Sequence, residues 1–505
     1  MRETYQRGIQ GAMLALGLIT TGSALATNGY FAHGYSAQQR GMAGAGTALG
    51  SDAFVGSINP ALLTRVGDRM DFNFSSFSPF RDFTVKNEPD ITPVSGAGLF
   101  QINRLDEDGR PMDEVRSKHE FFPIPGMAFS WRIDDKSVWG VTVYGNGGLN
   151  TEYDRGRATF AAGDAAQILP LQETCEGAFG GGGNVGSPGV FALCGGEQSD
   201  PGVDLIQLFV VPTYAREFGD RLSLGISPIF VAQRFKSLGL QAFARFSENP
   251  DRVTNNGTEF SFGGGARVGM TYELASWLRF GASYQSRIQM TNFDKYRGLF
   301  NKDGAFDIPS TWNVGIALIP SHNHRFAIDY QRINFNEVSA VGDDLNPNQF
   351  VNGCARPILL GGPVDFDTCL GGENGPGFGW HDVTTYKFGY EYQRGDFTYR
   401  VGYSNNTQPI QSSEVLFNIL APAVPEHHYT AGLTWQYSNR VGFDFAVMYA
   451  ADNTVSGKNP LSNVEGGALS LLNGGPNFGS DPNDQDIELS MYQVELTFGV
   501  NFRYD

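Results

Sequence analysis

From Tyr492 to Tyr504 every second residue is apolar: Tyr492, Val494, Leu496, Phe498, Val500, Phe502 and Tyr504. Gln493, Glu495, Thr497, Gly499, Asn501 and Arg503 hold the other parity. Period-two alternation of this length predicts a strand with one face in an apolar medium and one in a polar medium, longer than a soluble strand and suited to a tilted membrane span. The pattern recurs in pairs. Phe260 to Tyr272 and Leu278 to Met290 flank "ELAS", Met127 to Ile133 and Trp139 to Val143 flank "DDKS", Tyr386 to Tyr392 and Phe397 to Tyr403 flank "QRGD", and Tyr429 to Tyr437 and Val441 to Tyr449 flank "SNR". Each pair reads as an antiparallel hairpin. Weaker segments near 69–77, 206–216, 221–235, 311–319 and 324–335 bring the expectation to fourteen strands, an even number as in bacterial membrane barrels.

The connections alternate in length. Those after even-numbered strands are a few residues long and those after odd-numbered strands are much longer, which predicts short periplasmic turns and long external loops. A soluble sandwich or propeller has no reason to keep that strict asymmetry. Composition agrees, with 39 Phe, 20 Tyr and 65 Gly. The fold expected is therefore an all-β, 14-stranded antiparallel transmembrane β-barrel over residues 69–505.

At the start, Arg2 and Arg7 precede an apolar run from Ala12 to Ile19 and then Ala24-Leu25-Ala26. That order predicts a cleaved signal peptide over 1–26, the run being too short for a spanning helix. The formal charge of -17 argues against nucleic acid as a partner. Cys175 with Cys194 and Cys354 with Cys369 are close in sequence, in Gly-, Pro- and Asp-rich stretches, and in an exported protein they predict two loop disulfides, although four cysteines allow three connectivities. "HNH" at 322–324 falls in a predicted turn without a Cys or Glu cluster, so no metal is expected. "GAGTALG" lacks the strand and the Gly spacing of a nucleotide loop, so no cofactor is expected, and no Ser/His/Asp arrangement argues for an enzyme.

Residues 27–68, ahead of the first strand, are small, weakly charged and without sustained alternation. A barrel of fourteen strands encloses a lumen that such a segment could fill. Ser51 or Asp52, and Asn59 followed by Pro60, read as N-caps of short helices. The expectation is a compact plug inside the barrel.

The stretch "NGYFAHGYSAQQRGMAGAGTAL...DAFVGSINPALL" resembles the N-terminal hatch of the FadL/TodX family of outer-membrane transporters for long-chain fatty acids and other hydrophobic compounds. The likeness continues through "YGNGGLNTEY", "FDKYRGLF" and "FDIPSTWNVGIA" to the last strand. One departure is the end of the chain at Tyr504-Asp505 rather than at an aromatic residue. The resemblance implies a hatch over 27–68, a surface site that captures hydrophobic molecules, a lumen site, and lateral release through a gap made by a kink in the third strand. It carries the hatch motif onto Asn59, Pro60 and Ala61, beside a kink at Asn146, Gly147 and Gly148. It also implies a monomer working in outer-membrane lipid on a hydrophobic small molecule, a fatty acid or an uncharged aromatic or alkane hydrocarbon. If the ligand is a carboxylate, a lumen cation should receive it; parity offers Arg267, Arg287, Lys387 and Arg400, while Glu391, Asp444, Glu495 and Asp329 face the same way and could pair with them. A general aqueous porin and a membrane-embedded hydrolase are the readings from other classes.

Overall fold

The computed structural model describes residues 28–86, 102–103, 114–153, 159–160, 201–355, 357–358, 362–461 and 486–504. The signal-peptide expectation and the Cys175–Cys194 pair lie outside them. Fourteen long strands form one closed antiparallel sheet. They are β1 (Arg69–Lys86), β2 (Phe122–Arg132), β3 (Ser137–Glu152), β4 (Gly202–Phe218), β5 (Leu222–Leu238), β6 (Glu259–Ala275) and β7 (Leu278–Gln285). The others are β8 (Thr311–Ser321), β9 (His324–Ile333), β10 (Val383–Arg394), β11 (Phe397–Asn406), β12 (His427–Gln436), β13 (Val441–Lys458) and β14 (Asp486–Arg503). Each pairs with its neighbours in sequence, and β14 closes on β1 from Arg69 opposite Arg503 to Lys86 opposite Asp486. No open edge is left at the seam, as a sheet in lipid requires.

Alternation decides which residues meet lipid. Phe72, Phe74, Trp139, Tyr214, Trp312, Tyr429 and Phe498 are exposed on the outer surface. Their neighbours of opposite parity point inward, and these change character along the strands. On β1 the inward series begins with Arg69, Asp71 and Ser75 near the short turns and continues with Phe77, Phe83 and Val85 toward the long loops. β14 repeats the change, with Asn501, Thr497 and Glu495 giving way to Met491, Leu489 and Ile487. The lumen is thus polar in its lower half and apolar above.

The polar half holds the N-terminal segment. Its helix α1 (Ala37–Gly41) is capped by Ser36, whose hydroxyl accepts the Gln39 amide at 3.0 Å. Two 3-10 turns follow. Asp52 caps Ala53–Ser57 and Asn59 caps Pro60–Arg65, with Pro60 in the first turn, where its missing N–H costs nothing. The segment's backbone is bonded to inward side chains of the wall. Asp329 accepts the amides of Gly46 and Thr47 at 2.7 and 2.8 Å and the Thr47 hydroxyl at 2.8 Å. Asp71 accepts the Ala53 amide at 2.7 Å, and Ser283 donates to the Ile58 carbonyl at 2.7 Å. Glycines on the wall let the segment lie close: a Cβ on Gly281 would strike the Thr47 carbonyl, and one on Gly225 the backbone of Pro60 and Ala61.

Arg40 on α1 pairs with Glu495 on β14 at 2.8 Å, both almost fully buried. Removing one partner of a buried pair leaves a charge without compensation, worth about 3–5 kcal/mol. Glu495→Leu should therefore loosen the segment without opening the sheet. The expected result is a higher single-channel conductance in planar bilayers, with the heat-dependent electrophoretic shift of the folded barrel retained.

Candidate functional site

β2 and β3 pair only through their lower parts, from Arg132 opposite Val138 to Met127 opposite Val143. Above that level Phe122–Gly126 still pairs with β1, but among the described strands Tyr144–Glu152 pairs only with β4. The β3–β4 register slips at Asn146, between Gly145 and Gly147. From there the in-and-out pattern of β3 fails, and Asn146 to Thr151 are buried without interruption, as expected of a strand bent inward from the wall. Contact across the breach resumes at the top, where the Lys118 amide donates to the Glu152 carbonyl at 2.8 Å and His119 Nδ1 lies 3.1 Å from Asn150 Oδ1.

A wall opening leaves backbone groups that lipid cannot satisfy. Here Tyr30 to Ala32 take that place. Phe31 bridges Gly147, the Ala32 amide donates to the Asn146 carbonyl at 2.8 Å, and the Gly148 amide donates to the Tyr30 carbonyl at 3.1 Å. A Cβ on Gly147 would strike that Tyr30 carbonyl. One on Gly148 would strike the Leu205 carbonyl of β4, so its closeness serves the wall. The side chain of Asn146 is tied inward by an amide chain: it accepts from the Tyr35 hydroxyl at 2.9 Å and donates to Gln207 at 3.0 Å, which donates to Gln233 at 3.3 Å.

Two apolar cavities meet near this place. One, between the external loops, is lined by residues including Phe235, Leu240, Phe243, Phe300 and Phe417. The other, a narrow one, lies inside the breach against Phe77, Arg81, Leu149 and Met491. Leu420 borders both. The loop carrying it is fixed to β3 and its end, as the Thr151 hydroxyl donates to the Leu420 carbonyl at 2.8 Å and the Tyr153 hydroxyl to the Ile419 carbonyl at 2.7 Å. In the same loop Glu414 accepts the Leu345 amide at 3.0 Å, and burial pushes its carboxyl above the usual range.

The residues expected from sequence separate into distinct environments. Asn59, Pro60 and Ala61 do not lie at the breach. Asn59 donates to the Thr47 and Met270 carbonyls at 2.7 and 3.0 Å, and Asn59 and Pro60 face Gly269 of β6 while Pro60 and Ala61 face Gly225 of β5. The motif is a capped turn sized to that wall, and Tyr30 to Ala32 occupy the position expected of it. Arg287 is not in the lumen either. β7 ends at Gln285, Ile288 turns inward, and Arg287 pairs with Asp307 at 2.8 Å with a half-exposed side chain. The parity count failed because the strand stops two residues before it.

Arg267, Lys387 and Arg400 are inward and buried. Arg267 donates to the Gly56 carbonyl at 2.8 Å and to Gln285, and Arg400 to Glu391 at 2.7 Å and Thr434 at 2.6 Å. Lys387 differs: it stands opposite Asp329 in the β9–β10 ladder, yet among the described residues no hydrogen bond or ion pair takes up its ammonium group, and it lines a polar lumen cavity with His33, Arg267, Gln285 and Gln331. Cys354 and Cys369 are bonded, with Cα atoms 5.2 Å apart. Among the described residues no His, Cys, Asp and Glu group has metal-binding geometry.

Sequence reasoning missed Tyr30, Phe31, Arg81 and Leu420. Tyr30 and Phe31 were visible as two adjacent aromatics in an otherwise small-residue segment. They pack with Phe335 and Trp380, ring centroids 5.2 to 6.0 Å apart. Since a backbone hydrogen bond contributes about 1 kcal/mol, Ala32→Pro, which removes the N–H given to Asn146, should weaken the attachment roughly fivefold. The expected readout is faster hydrogen exchange of the Gly148 amide by about that factor, with no change in the β1–β14 amides.

The sequence profile of the outer membrane protein transport protein family (OMPP1/FadL/TodX) matches residues 195–471. Among solved structures the fold resembles the toluene transporter TodX of Pseudomonas putida (15% identity, TM-score 0.57, covering 94% of this chain and 99% of that one). It also resembles a FadL homologue of Pseudomonas aeruginosa (12%, TM-score 0.58, 94% and 100%) and the toluene transporter TbuX of Ralstonia pickettii (16%, TM-score 0.51, 94% and 99%). No curated protein matches the sequence. A profile match over more than half of the length, on a closed 14-stranded barrel, places the chain in the outer membrane as a member of the OMPP1/FadL/TodX family of transport proteins.

Proposed function

We propose that the chain carries hydrophobic compounds passively across the outer membrane and releases them sideways, between β2 and β3, into the lipid. The observation that carries this reading is the upper edge of β3, which among the described residues is not paired with β2 and is met instead by Tyr30 to Ala32, with an apolar cavity beside it. An apolar solute that leaves into lipid avoids an unfavourable exit into water. The loop cavity lined by Leu240, Phe243 and Phe417 suits capture, and residues 27–68 act as the hatch that fills the lower lumen of the 69–505 barrel. Release requires Tyr30 to Ala32 to leave the β3 edge. The functional unit in this reading is a monomer, since a single chain closes the barrel.

Long-chain fatty acids are the substrate class favoured, because Lys387, although opposite Asp329 in the ladder, lines a lumen cavity with no hydrogen bond or ion pair to its ammonium group among the described residues, while Arg267 and Arg400 are already engaged. A ligand carboxylate could take the direct charge-assisted bond that Asp329, bonded to Gly46 and Thr47, does not make. The second reading, an uncharged aromatic hydrocarbon, draws on TodX and TbuX, both described as toluene transporters. A polar filling of the lower lumen argues against a general aqueous porin.

Growth of a deletion strain on oleate, an alkane or toluene, with and without this chain, separates the substrates. The expected outcome is rescue on oleate, and a Lys387→Met variant that takes up oleate about tenfold more slowly at limiting concentration while its uptake of alkane is unchanged. Rescue on toluene alone would move the assignment to hydrocarbons. A large steady conductance of the wild type would mark an open porin.

A further inference from the structure

Arg81 is the least expected residue in the breach. It shares the inward parity of Phe77, Phe83 and Val85, in the part of the lumen that is otherwise apolar, and it is 4% exposed. Arg81 lines the breach cavity with Gly148, Leu149, Leu420 and Met491. One Nη2 proton goes to the His119 carbonyl, and Cζ lies 5.6 Å from the centre of the Phe122 ring. Nε has no hydrogen-bond partner, and among the described residues Glu120 is the carboxylate whose charge acts on Arg81, without forming an ion pair with it. The adjacent Asp82 points the other way, toward Arg116 at 3.8 Å.

A buried cation without a carboxylate bonded to it is destabilising, and an apolar residue of similar size would serve the wall better. The planar fork of Arg matches an oxyanion in two parallel hydrogen bonds, and the apolar surroundings strengthen such a pair. We propose that Arg81 is a binding site for the oxyanion head of an acidic amphiphile in the lateral opening, holding the head while the tail passes between β2 and β3. The site rests on the lateral route proposed above. Its oxyanion has two sources, the carboxylate of the transported acid and the phosphate of a membrane lipid reaching in from outside. It is separate from Lys387, which lines the polar cavity lower in the lumen.

The test uses the full-length protein in sugar-headed, uncharged detergent, with a C18 carboxylate and its methyl ester as probes and Lys387→Met as a common background. Binding of the acid should fall at least tenfold in Arg81→Gln and stay within about threefold in Arg81→Lys, with ester binding unchanged in both. Arg81→Met repeats the measurement should the amide disturb assembly, and it should not lower the thermal midpoint of the barrel, because it removes an unpaired buried charge. Phosphatidic acid added to the micelles should displace the acid from the Arg81 protein if lipid phosphate shares the site, and leave it bound if only the ligand carboxylate is accepted. Equal acid binding with and without Arg81, in both arms, would overturn the site, as would a loss of acid and ester by the same factor. A protein that binds neither probe even with Arg81 and Lys387 intact would overturn the uptake reading together with the site.

Discussion

In a bilayer every strand backbone must find its hydrogen bonds within the protein, and this one constraint orders the rest of the structure. Among the described residues the other neighbouring strands meet it by pairing with one another, several with a shift of register, whereas β2 pairs with β3 only in its lower part. Above Val143 and below Glu152 the described edge of β3 is met by Tyr30 to Ala32 from inside the barrel. The closure is therefore of another kind from the rest of the wall. Strand ladders such as β1–β14 unite eighteen residues and cannot part locally, whereas the breach is shut by a pair of backbone bonds and a bridge.

The lower lumen shows what the inward charges are for. Asp329, Asp71, Glu495, Arg267 and Arg279 are bonded to the N-terminal segment, mostly to its backbone, so they hold a filling rather than line a channel. That accounts for polar residues buried in the middle of a membrane protein without recourse to a ligand. It also isolates the exceptions. Lys387 and Arg81 are buried cations with no ion pair among the described residues, and each lines a cavity.

How much of this the sequence disclosed depended on contrast between the two faces of a strand. Where lipid lies on one side and the polar filling on the other, as from Tyr492 to Tyr504, alternation is plain and the strand was legible. Toward the loops the inner face turns apolar, so Ile487, Leu489 and Met491 erase the contrast and the strand appears to begin late. The same loss hid the upper part of β1, where Arg81 lay within "FSPFRDFTV" as one charge among aromatics. Local capping chemistry was legible at Asp52, Asn59 and Pro60 because it needs only neighbours in sequence. Which wall those turns face was not, since the fit of Asn59 to Gly269 and of Tyr30 to Gly147 is set by the closure of the whole barrel.

The two apolar cavities give the proposed route its direction. Leu420 lines both, so on the proposed route a solute taken up among Leu240, Phe243 and Phe417 reaches the breach past Leu420. The way down would instead cross the filled polar half, where an apolar solute gains nothing by displacing bonded groups. The hydrophobic effect therefore favours the sideways path at each step: water to loop cavity, loop cavity to breach, breach to lipid. The Leu420 loop and the N-terminal segment meet β3 within a few residues of each other, at Thr151 and at Asn146 to Gly148. A ligand that displaces Leu420 thus acts on the same strand whose free edge the N-terminal segment covers, which is where capture and release must be linked if the lateral path is to stay closed while the cavity is empty.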